Sequence, residues 1–172
     1  GLGDVYKRQT LSGDGARFDA DAAYLGKNSQ TIDYNIVADH FGKKTESLIT
    51  VNGALTDSAK KVFRGTIDFK KGSADSVGSE NETVLMLGDD VVNKTVPLIL
   101  CAEENVEGTH GATIGELDAD TMFYFESRGI DRETAEKIMA YAAVERLIHM
   151  AEDSEFAAEV EKDMGIKTDT EE

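Results

Sequence analysis

The sequence predicts a mainly β body followed by a small helical appendage at its C-terminal end. Between Thr31 and Leu117, short runs rich in β-branched residues are separated by Gly, Asn, Asp and Lys, and no amphipathic helix pattern occurs. The pattern changes at Asp118, after which three helical segments follow. A short internal echo, VNGAL and then FRGTI, favours a β-solenoid over a sandwich or a barrel.

Five runs predict the strands of the β body. They are TIDYNIVAD (31–39), TESLITVNGAL (45–55), KVFRGTIDF (61–69), TVLMLG (83–88) and TVPLILCA (95–102). In the third run Phe63, Ile67 and Phe69 alternate with polar residues, which is typical of a half-buried strand. Gly53 and Gly65 occupy equivalent places in the echo and predict tight corners, where a positive φ or a close backbone approach is needed.

The chain before residue 30 shows no readable periodicity. It starts GLGDVYKRQT, without a methionine, and we expect residues 1–29 to be a poorly defined N-terminal segment of a truncated chain. The first ten residues are not expected to belong to the fold. The predicted organisation is therefore this segment, a β-solenoid core over residues 30–117, and a helical subdomain over residues 118–172.

Capping residues mark the predicted helices. Asp118 is the expected N-cap of a short first helix, and Gly129 is its expected stop. Asp131 is the expected N-cap of the second helix. The apolar face of that helix is predicted from residues at helical spacing, namely Ala135, Ile138, Met139 and Ala142.

A third helix is predicted after Ser154. Phe156 and Val160 are four residues apart and therefore share one face of that helix. The helix is expected to end near Gly165, and the tail KTDTEE (167–172) is expected to fray.

Charge is distributed unevenly along the chain. Residues 1–101 hold 14 acidic and 12 basic side chains, a balance of −2, whereas residues 102–172 hold 20 and 6, a balance of −14. A polyanion is repelled by the second part, so nucleic acid is not an expected partner. The acidic excess is interpreted either as a solubilising surface or as a docking face for a basic partner.

Composition also bears on location. A hydrophobic content of 40% is enough for a buried core, but no run approaches the length of a membrane span, and no signal peptide pattern is present. A membrane partner is therefore not expected. One cysteine cannot form an internal disulfide, which predicts a reducing, cytoplasmic setting.

No catalytic motif is found. The chain has no GxSxG, Walker A, GxGxxG or HExxH pattern, and abundant carboxylates make any acid–base pair uninformative. We therefore expect no enzyme activity and no tightly bound cofactor.

His110 is the main candidate for chemistry. It lies in ENVEGTHGATIGEL (104–117), which predicts a glycine-rich turn, and by its residues alone it is a catalytic base, a metal ligand or a plain turn residue. Cys101 is a further candidate, since thiolate and imidazole both bind zinc or iron, but it ends the apolar run VPLILC, which favours a buried, inert thiol. His40 and His149 look like strand-end and helix-face residues and receive no role.

Three segments resemble the SufB/SufD family of iron–sulfur cluster assembly proteins. They are DHFGKKTESLITVNGAL (39–55), KVFRGTIDF (61–69) and, most specifically, HGATIGELDADTMFYFESRGI (110–130). The resemblance covers roughly residues 30–150. It implies a right-handed parallel β-helix followed by C-terminal helices, and a scaffold rather than an enzyme.

The resemblance also implies partners. Members of the family pair with each other through the β-helix, so a SufB-type subunit or a second copy of this chain is expected. They bind a SufC-type ABC ATPase through the C-terminal helices, where Tyr124, Arg128, Ile138 and Met139 are the candidate contacts. Tyr124 and Phe125 are also interpreted structurally, as packing the first helix onto the end of the solenoid.

His110 matches the family histidine implicated at the interface where a transient iron–sulfur cluster is held. Two departures from the family pattern matter. Gly108 stands where many SufD-type members carry a cysteine, and Glu82 stands near the place of the SufB-type cysteine that accepts sulfur. The chain therefore looks SufD-like, and Glu82 remains a secondary candidate.

Two further functions stay open at this point. One is a carbohydrate-active β-solenoid enzyme with His110 in a surface groove, although the basic pairs of this chain look like solvated turns. The other is a structural module that associates only with itself.

Overall fold

A computed structural model describes residues 2–150 and 153–164, which form eight β-strands and three α-helices. The strands are β1 (Leu2–Leu11), β2 (Arg17–Gly26), β3 (Thr31–His40), β4 (Glu46–Leu55), β5 (Lys60–Phe69), β6 (Ser76–Met86), β7 (Val92–Cys101) and β8 (Val106–Glu116). The helices are α1 (Ala119–Glu126), α2 (Arg132–Met150) and α3 (Ser154–Met164). The predicted mainly β solenoid with C-terminal helices is confirmed.

The strands alternate between two parallel sheets. One sheet has the order β1-β3-β5-β7 and the other β2-β4-β6-β8, so each turn of the chain adds one strand to each sheet. Leu2 pairs with Thr31, and Thr31 with Lys60, so a turn takes 29 residues at this point. The result is a solenoid of four turns, in which each in-register neighbour lies one turn away.

The solenoid begins earlier than the sequence predicts. β1 pairs with β3 over its whole length, and Leu11 and Tyr24 are buried in the core. The expectation of a poorly defined segment over residues 1–29 is therefore wrong for residues 2–26. β1 is an edge strand with almost every side chain exposed, so backbone pairing to β3 stabilises it without the apolar alternation that would reveal a strand.

The glycines of the echo lie inside strands rather than at corners. A Cβ on Gly53 would lie 2.5 Å from the Tyr24 ring, and one on Gly65 would lie 2.1 Å from the Glu80 carboxyl. Both positions face the solenoid interior, and glycine there makes room for a large neighbour. The left-handed backbone that corners need is found elsewhere, at Asn28, Lys44, Asp57 and Asp75 and at two other glycines, Gly15 and Gly72.

Both predicted N-caps are confirmed. The Asp118 carboxylate accepts a hydrogen bond from the Thr121 N–H at 2.7 Å, and the Asp131 carboxylate accepts one from the Thr134 N–H at 2.8 Å. Each interaction satisfies an N–H in the first turn of its helix. Gly129, with φ +78°, ends the α1 segment as expected.

The buried face of α2 differs from the predicted one. α2 packs on the outer surface of β2, β4 and β6, and its buried residues are Ala135, Ala140, Val144 and Ile148. Ile138 is 41% exposed, and Ala142 is also exposed. Helical spacing offers more than one apolar stripe on this helix, and the position of the sheet selects which stripe is buried.

α3 is present as predicted, and Val160 packs against the cluster formed by Ala54, Leu87 and Ala140. The Phe156 side chain, Gly165 and the predicted frayed tail lie outside the described residues. Within residues 2–150 and 153–164, no helix is long and apolar enough to cross a membrane.

Candidate functional site

The last turn of the solenoid is open. β7 and β8 are the final strands of their sheets, so each has a strand neighbour on one side only. We call this pair of strands the open rung. Nine of the eleven residues of β8 are exposed, and edge strands of this kind present unpaired N–H and C=O groups to a further strand.

The helices leave this end uncovered. α1 packs on α2, and Tyr124 is 53% exposed. The expectation that Tyr124 and Phe125 would pack α1 onto the end of the solenoid is therefore wrong for Tyr124. Its ring instead carries the Arg128 guanidinium at 4.3 Å and lies 6.1 Å from the Phe125 ring. Among the described residues, no further strand pairs with β7 or β8 at this end.

His110 lies in the middle of β8, not in a turn. Parallel pairing places it opposite Glu80 of β6, and in-register neighbours in a sheet point to the same face. Glu80 faces the solenoid interior, so His110 extends the interior column by one position. It is nevertheless exposed, because no later strand of the solenoid covers it. The glycines on either side had suggested a turn, but ladder pairing with β6 keeps the segment extended.

Glu80 is a buried carboxyl with an unusual environment. It is 2% exposed, and its Oε2 atom has no hydrogen-bond partner among the described residues. Burial, and then the charge of Glu82, raise its pKa to about 7. The sequence contained a signal for this position: in SVGSENETV the alternation that puts Val84 inside also puts Glu82 and Glu80 inside. Starting the predicted strand at residue 83 missed it.

Glu82 belongs to a buried ion pair. Its carboxylate accepts hydrogen bonds from Lys61 and Thr95, and the Tyr24 hydroxyl lies 3.5 Å from it. The Lys61 and Glu82 side chains are 0% and 1% exposed. Desolvation lowers the Lys61 pKa, although Glu82 opposes this, and burial followed by the Glu82 charge raises the Tyr24 pKa. The described hydrogen-bond partners of Glu82 therefore all lie inside the solenoid. This favours a structural role for Glu82, the secondary candidate.

Cys101 is exposed, so the expectation of a buried thiol is wrong. It is the last residue of β7 on the open rung, where nothing packs over it. His110 lies four residues past Val106, the first residue of β8, or about 13 Å along the strand at about 3.3 Å per residue. The fold thus places Cys101 at a corner and His110 at mid-strand, away from each other.

The glycine at position 108 has a packing reason. It faces the interior, where an added Cβ would lie 2.7 Å from the Ile99 side chain and 3.2 Å from the Phe69 ring. A cysteine at this position would require Ile99 to move. The side chains of β5 and β7 around Gly108 therefore leave no room for a thiol at this position.

The described residues supply too few ligands for a metal site of their own. Among residues 2–150 and 153–164, no three His, Cys, Asp or Glu side chains come close enough to hold a metal ion. Imidazole and carboxylate are donors that suit iron, and the open rung presents one imidazole, His110, next to one buried carboxyl, Glu80. This donor set fits a shared site that another molecule completes.

The open rung also carries an apolar outer stripe. Val96, Leu98 and Leu100 of β7 point away from the interior and are 50%, 46% and 42% exposed. Their neighbours in β5 on the same face are Arg64, Thr66 and Asp68. Exposed apolar side chains next to an unpaired strand edge are typical of a protein-binding surface.

Three of the four residues proposed for partner binding on the helices are accessible, and Tyr124 is one of them. Ile138 lies on the exposed side of α2, and Arg128 is exposed between α1 and α2. Met139 is half-buried. The exposed charged residues of α2 include both acidic and basic side chains.

Comparison with known proteins identifies relatives over most of the chain. Residues 4–143 match the family described as "SUF system FeS cluster assembly, SufBD core domain". The iron–sulfur cluster assembly protein SufD of Bacillus subtilis is 32% identical over 141 residues, which are 81% of this chain and 32% of that protein.

Two other relatives show the same partial coverage. The chloroplastic SufBD family protein ABCI8 of Arabidopsis thaliana is 27% identical over 162 residues, or 94% of this chain and 29% of that protein. SufD of Escherichia coli is 28% identical over 99 residues, or 58% and 23%. The chain thus spans about a third or less of the length of these relatives.

Proposed function

Because the chain belongs to the SufB/SufD family, we propose that it serves as a non-catalytic scaffold in iron–sulfur cluster assembly. The observation that carries this proposal is the open rung. A solenoid whose last two strands each have one free edge, with an inward-facing histidine exposed on β8, is suited to forming half of a shared site. We place the protein in the cytoplasm, where its one thiol stays reduced.

Pairing uses the open rung. A partner with a matching end, either a SufB-type subunit or a second copy of this chain, adds its strands to the free edges of β7 and β8. The stripe of Val96, Leu98 and Leu100 contributes apolar contact beside those backbone hydrogen bonds. Polar side chains on the same face of the earlier turns favour contact at the last turn only.

The cluster is the cargo of this interface, not a resident group. His110 supplies one donor from this chain, and the partner supplies the others, which explains why the described residues hold no complete site. An imidazole without a covering strand can reach across the interface. Cys101, at the corner of the open rung, is exposed but belongs to the periphery of this arrangement.

The helices are the proposed docking surface for a SufC-type ABC ATPase. α2 is held on the solenoid by its buried face and by an ion pair between Arg146 and Asp21, so its outer face is rigidly presented. The exposed side of α2 carries Ile138 together with charged residues of both signs, namely Arg132, Glu133, Lys137 and Glu145. ATP hydrolysis by the partner would act on the scaffold through α2, because α2 packs directly on three strands of one sheet.

Co-expression tests the proposal. The chain in its full-length context is produced with a SufB-type subunit and an ABC-type ATPase from the same genome, purified by a tag on this chain, and analysed by size-exclusion chromatography. We expect one complex that contains all three proteins. Recovery of the tagged protein without the ATPase and without the SufB-type subunit would contradict the proposed role.

A further inference from the structure

Glu80 is a buried carboxyl that makes no stabilising hydrogen bond to a described residue through its Oε2 atom. Its Oε2 atom is buried and has no hydrogen-bond partner among the described residues. Leaving a buried polar group unsatisfied costs about 1–3 kcal/mol. Lys61, a buried cation of β5, is hydrogen-bonded to Glu82 instead. Most unsatisfied buried groups need an explanation, and a binding role is one of the few available.

The opposite sheet makes room for this carboxyl. Gly65 of β5 faces it across the interior, and a Cβ at that position would lie 2.1 Å from Oε2. A glycine inside a strand itself costs about 0.5–1 kcal/mol relative to alanine. Two locally unfavourable features, the buried carboxyl of Glu80 in one sheet and the strand glycine Gly65 in the other, therefore lie at the same point.

That point lies directly beneath His110. Adjacent strands in a sheet are about 4.8 Å apart, and Glu80 and His110 are in-register neighbours on one face. His110 belongs to the open rung, so the imidazole forms the boundary between the Glu80 carboxyl and the exterior.

We propose that Glu80 and His110 together form a two-donor site for ferrous iron at the open rung. The carboxylate of Glu80 supplies an oxygen ligand and the imidazole of His110 a nitrogen ligand, a combination that suits Fe²⁺. The identity of the ion rests on the proposed role in cluster assembly. Two donors from one chain leave the remaining positions open for a partner, as expected for an ion that is passed on.

Metal binding by the isolated protein tests this site. Co²⁺ is titrated as the probe, and the imidazole proton signals of the three histidines are followed by NMR. We expect saturable broadening of the His110 signals, while His149 on α2 and the buried His40 serve as internal references. Glu80→Gln, which keeps the shape of the side chain, should weaken this binding about tenfold or more.

The matched control is Glu107→Gln. Glu107 is an exposed carboxylate on the same strand, but it points to the outer face. Its loss should leave Co²⁺ binding unchanged. Because the two donors share one ion, Glu80→Gln should add little to the loss caused by His110→Ala. An unfolding measurement should show that Glu80→Gln is folded and about as stable as the wild type.

The outcomes separate this site from the proposed function. If Glu80→Gln binds Co²⁺ like the wild type, or if Glu107→Gln weakens binding equally, the two-donor site is wrong. Formation of the complex with the SufB-type subunit does not depend on Glu80, which is buried away from the edges. A complex that forms normally while the Co²⁺ result is negative overturns this site alone, and loss of the complex in the wild type overturns the proposed function.

Discussion

His110 lies on an exposed surface that no other described strand covers. Because its side chain is exposed, His110→Ala removes no buried packing, and we expect the free energy of unfolding to change by no more than about 0.5 kcal/mol. We expect the same variant to impair the maturation of iron–sulfur enzymes in cells that depend on this protein. His149→Ala, at an exposed position on α2, is the control. Normal maturation in the His110 variant would make His110 a simple strand residue.

His40, in contrast to the exposed His110, is a buried histidine of the core. Its Nδ1 atom lies 2.7 Å from the Thr45 hydroxyl oxygen, its Nε2 atom lies 2.9 Å from that of Ser47, and its side chain is fully buried. Burial lowers its pKa, while the charges of Asp39 and Asp68 partly oppose this. The strand-end position predicted from the sequence is confirmed, and the residue is part of the core.

The lowered pKa of His40 makes stability depend on pH. The unfolded chain protonates this imidazole below about pH 6.5, whereas the folded chain does so only at lower pH. Its contribution is therefore present above pH 6.5 and is lost as the pH falls through the lowered pKa, by at most about 1.4 kcal/mol per pH unit. An NMR titration should give a His40 pKa below 6.5, and a value at or above 6.5 would contradict the structure.

Unfolding measurements at pH 7 and pH 5.5 complete this test. The raised pKa of Glu80 acts in the opposite direction over the same range, so the wild-type curve alone mixes two effects. Comparison with His40→Gln, which retains Glu80, isolates the contribution of the imidazole. The variant should be less stable at pH 7 and should lose less stability on acidification.

At the scale of secondary structure, the inward-facing side chains of one strand limit which side chains fit on the strand across the core. β5 and β6 are not paired with each other, but their inward side chains meet across the core. Gly65 and Glu80 form such a pair, as do Lys61 and Glu82. A strand of this solenoid is therefore constrained both by the turn above and below it and by the opposite sheet.

Gly65→Ala tests this constraint. We expect the added methyl group to collide with the Glu80 carboxyl and to reduce the free energy of unfolding by about 1–3 kcal/mol. Gly115→Ala is the control, because its Cβ would have no neighbour closer than 3.4 Å. Combining Gly65→Ala with Glu80→Ala should recover part of the loss. Equal urea midpoints for Gly65→Ala and the wild type would show that the glycine is not required for space.

In the helices, local sequence patterns predict the N-caps but not the buried face of α2. The N-caps Asp118 and Asp131 follow from sequence, because a cap is an interaction within one turn of the helix. The buried face of α2 does not follow from sequence, because Ala135 packs inward whereas Ile138, three residues later, is exposed. That choice depends on where the sheet lies.

At the scale of the whole molecule, the two proposed binding surfaces lie on different parts of the solenoid. The apolar stripe of the open rung is on β7, in one sheet. α2 lies along the outer face of the other sheet, over β2, β4 and β6. Under the proposed function, the SufB-type subunit binds at the first surface and the ATPase at the second. Substitutions at the two surfaces should therefore have independent effects.

Two variants test this independence. Leu98→Asp places a charge on the apolar stripe of β7 and should abolish pairing with the SufB-type subunit, while binding of the ATPase is retained. Ile138→Asp, on α2, should have the converse effect. Val77→Asp, at a similarly exposed position on the central strand β6, is the control and should affect neither. Co-purification of each variant with both partners measures the result, and loss of both partners in any one variant would contradict separate surfaces.

The sequence by itself determined the class of fold and the main candidate residue. Alternation in β5, the helix caps and the change of pattern at Asp118 are local, so they are visible in one dimension. The segment from His110 onwards was specific enough to indicate the family. β1 and β2 could not be recognised in this way, because their stability comes from pairing with strands 29 residues away in the chain.

Only the tertiary structure decided what surrounds His110. Parallel register places Glu80 beneath it, and the end of the sheet leaves it exposed, although the nearby glycines had suggested a turn. The same register places Glu82 against Lys61 and leaves Cys101 at an open corner. The physical reason is common to all of these: in a solenoid, the environment of a side chain is set by residues one turn away, and the sequence does not state which residues those are.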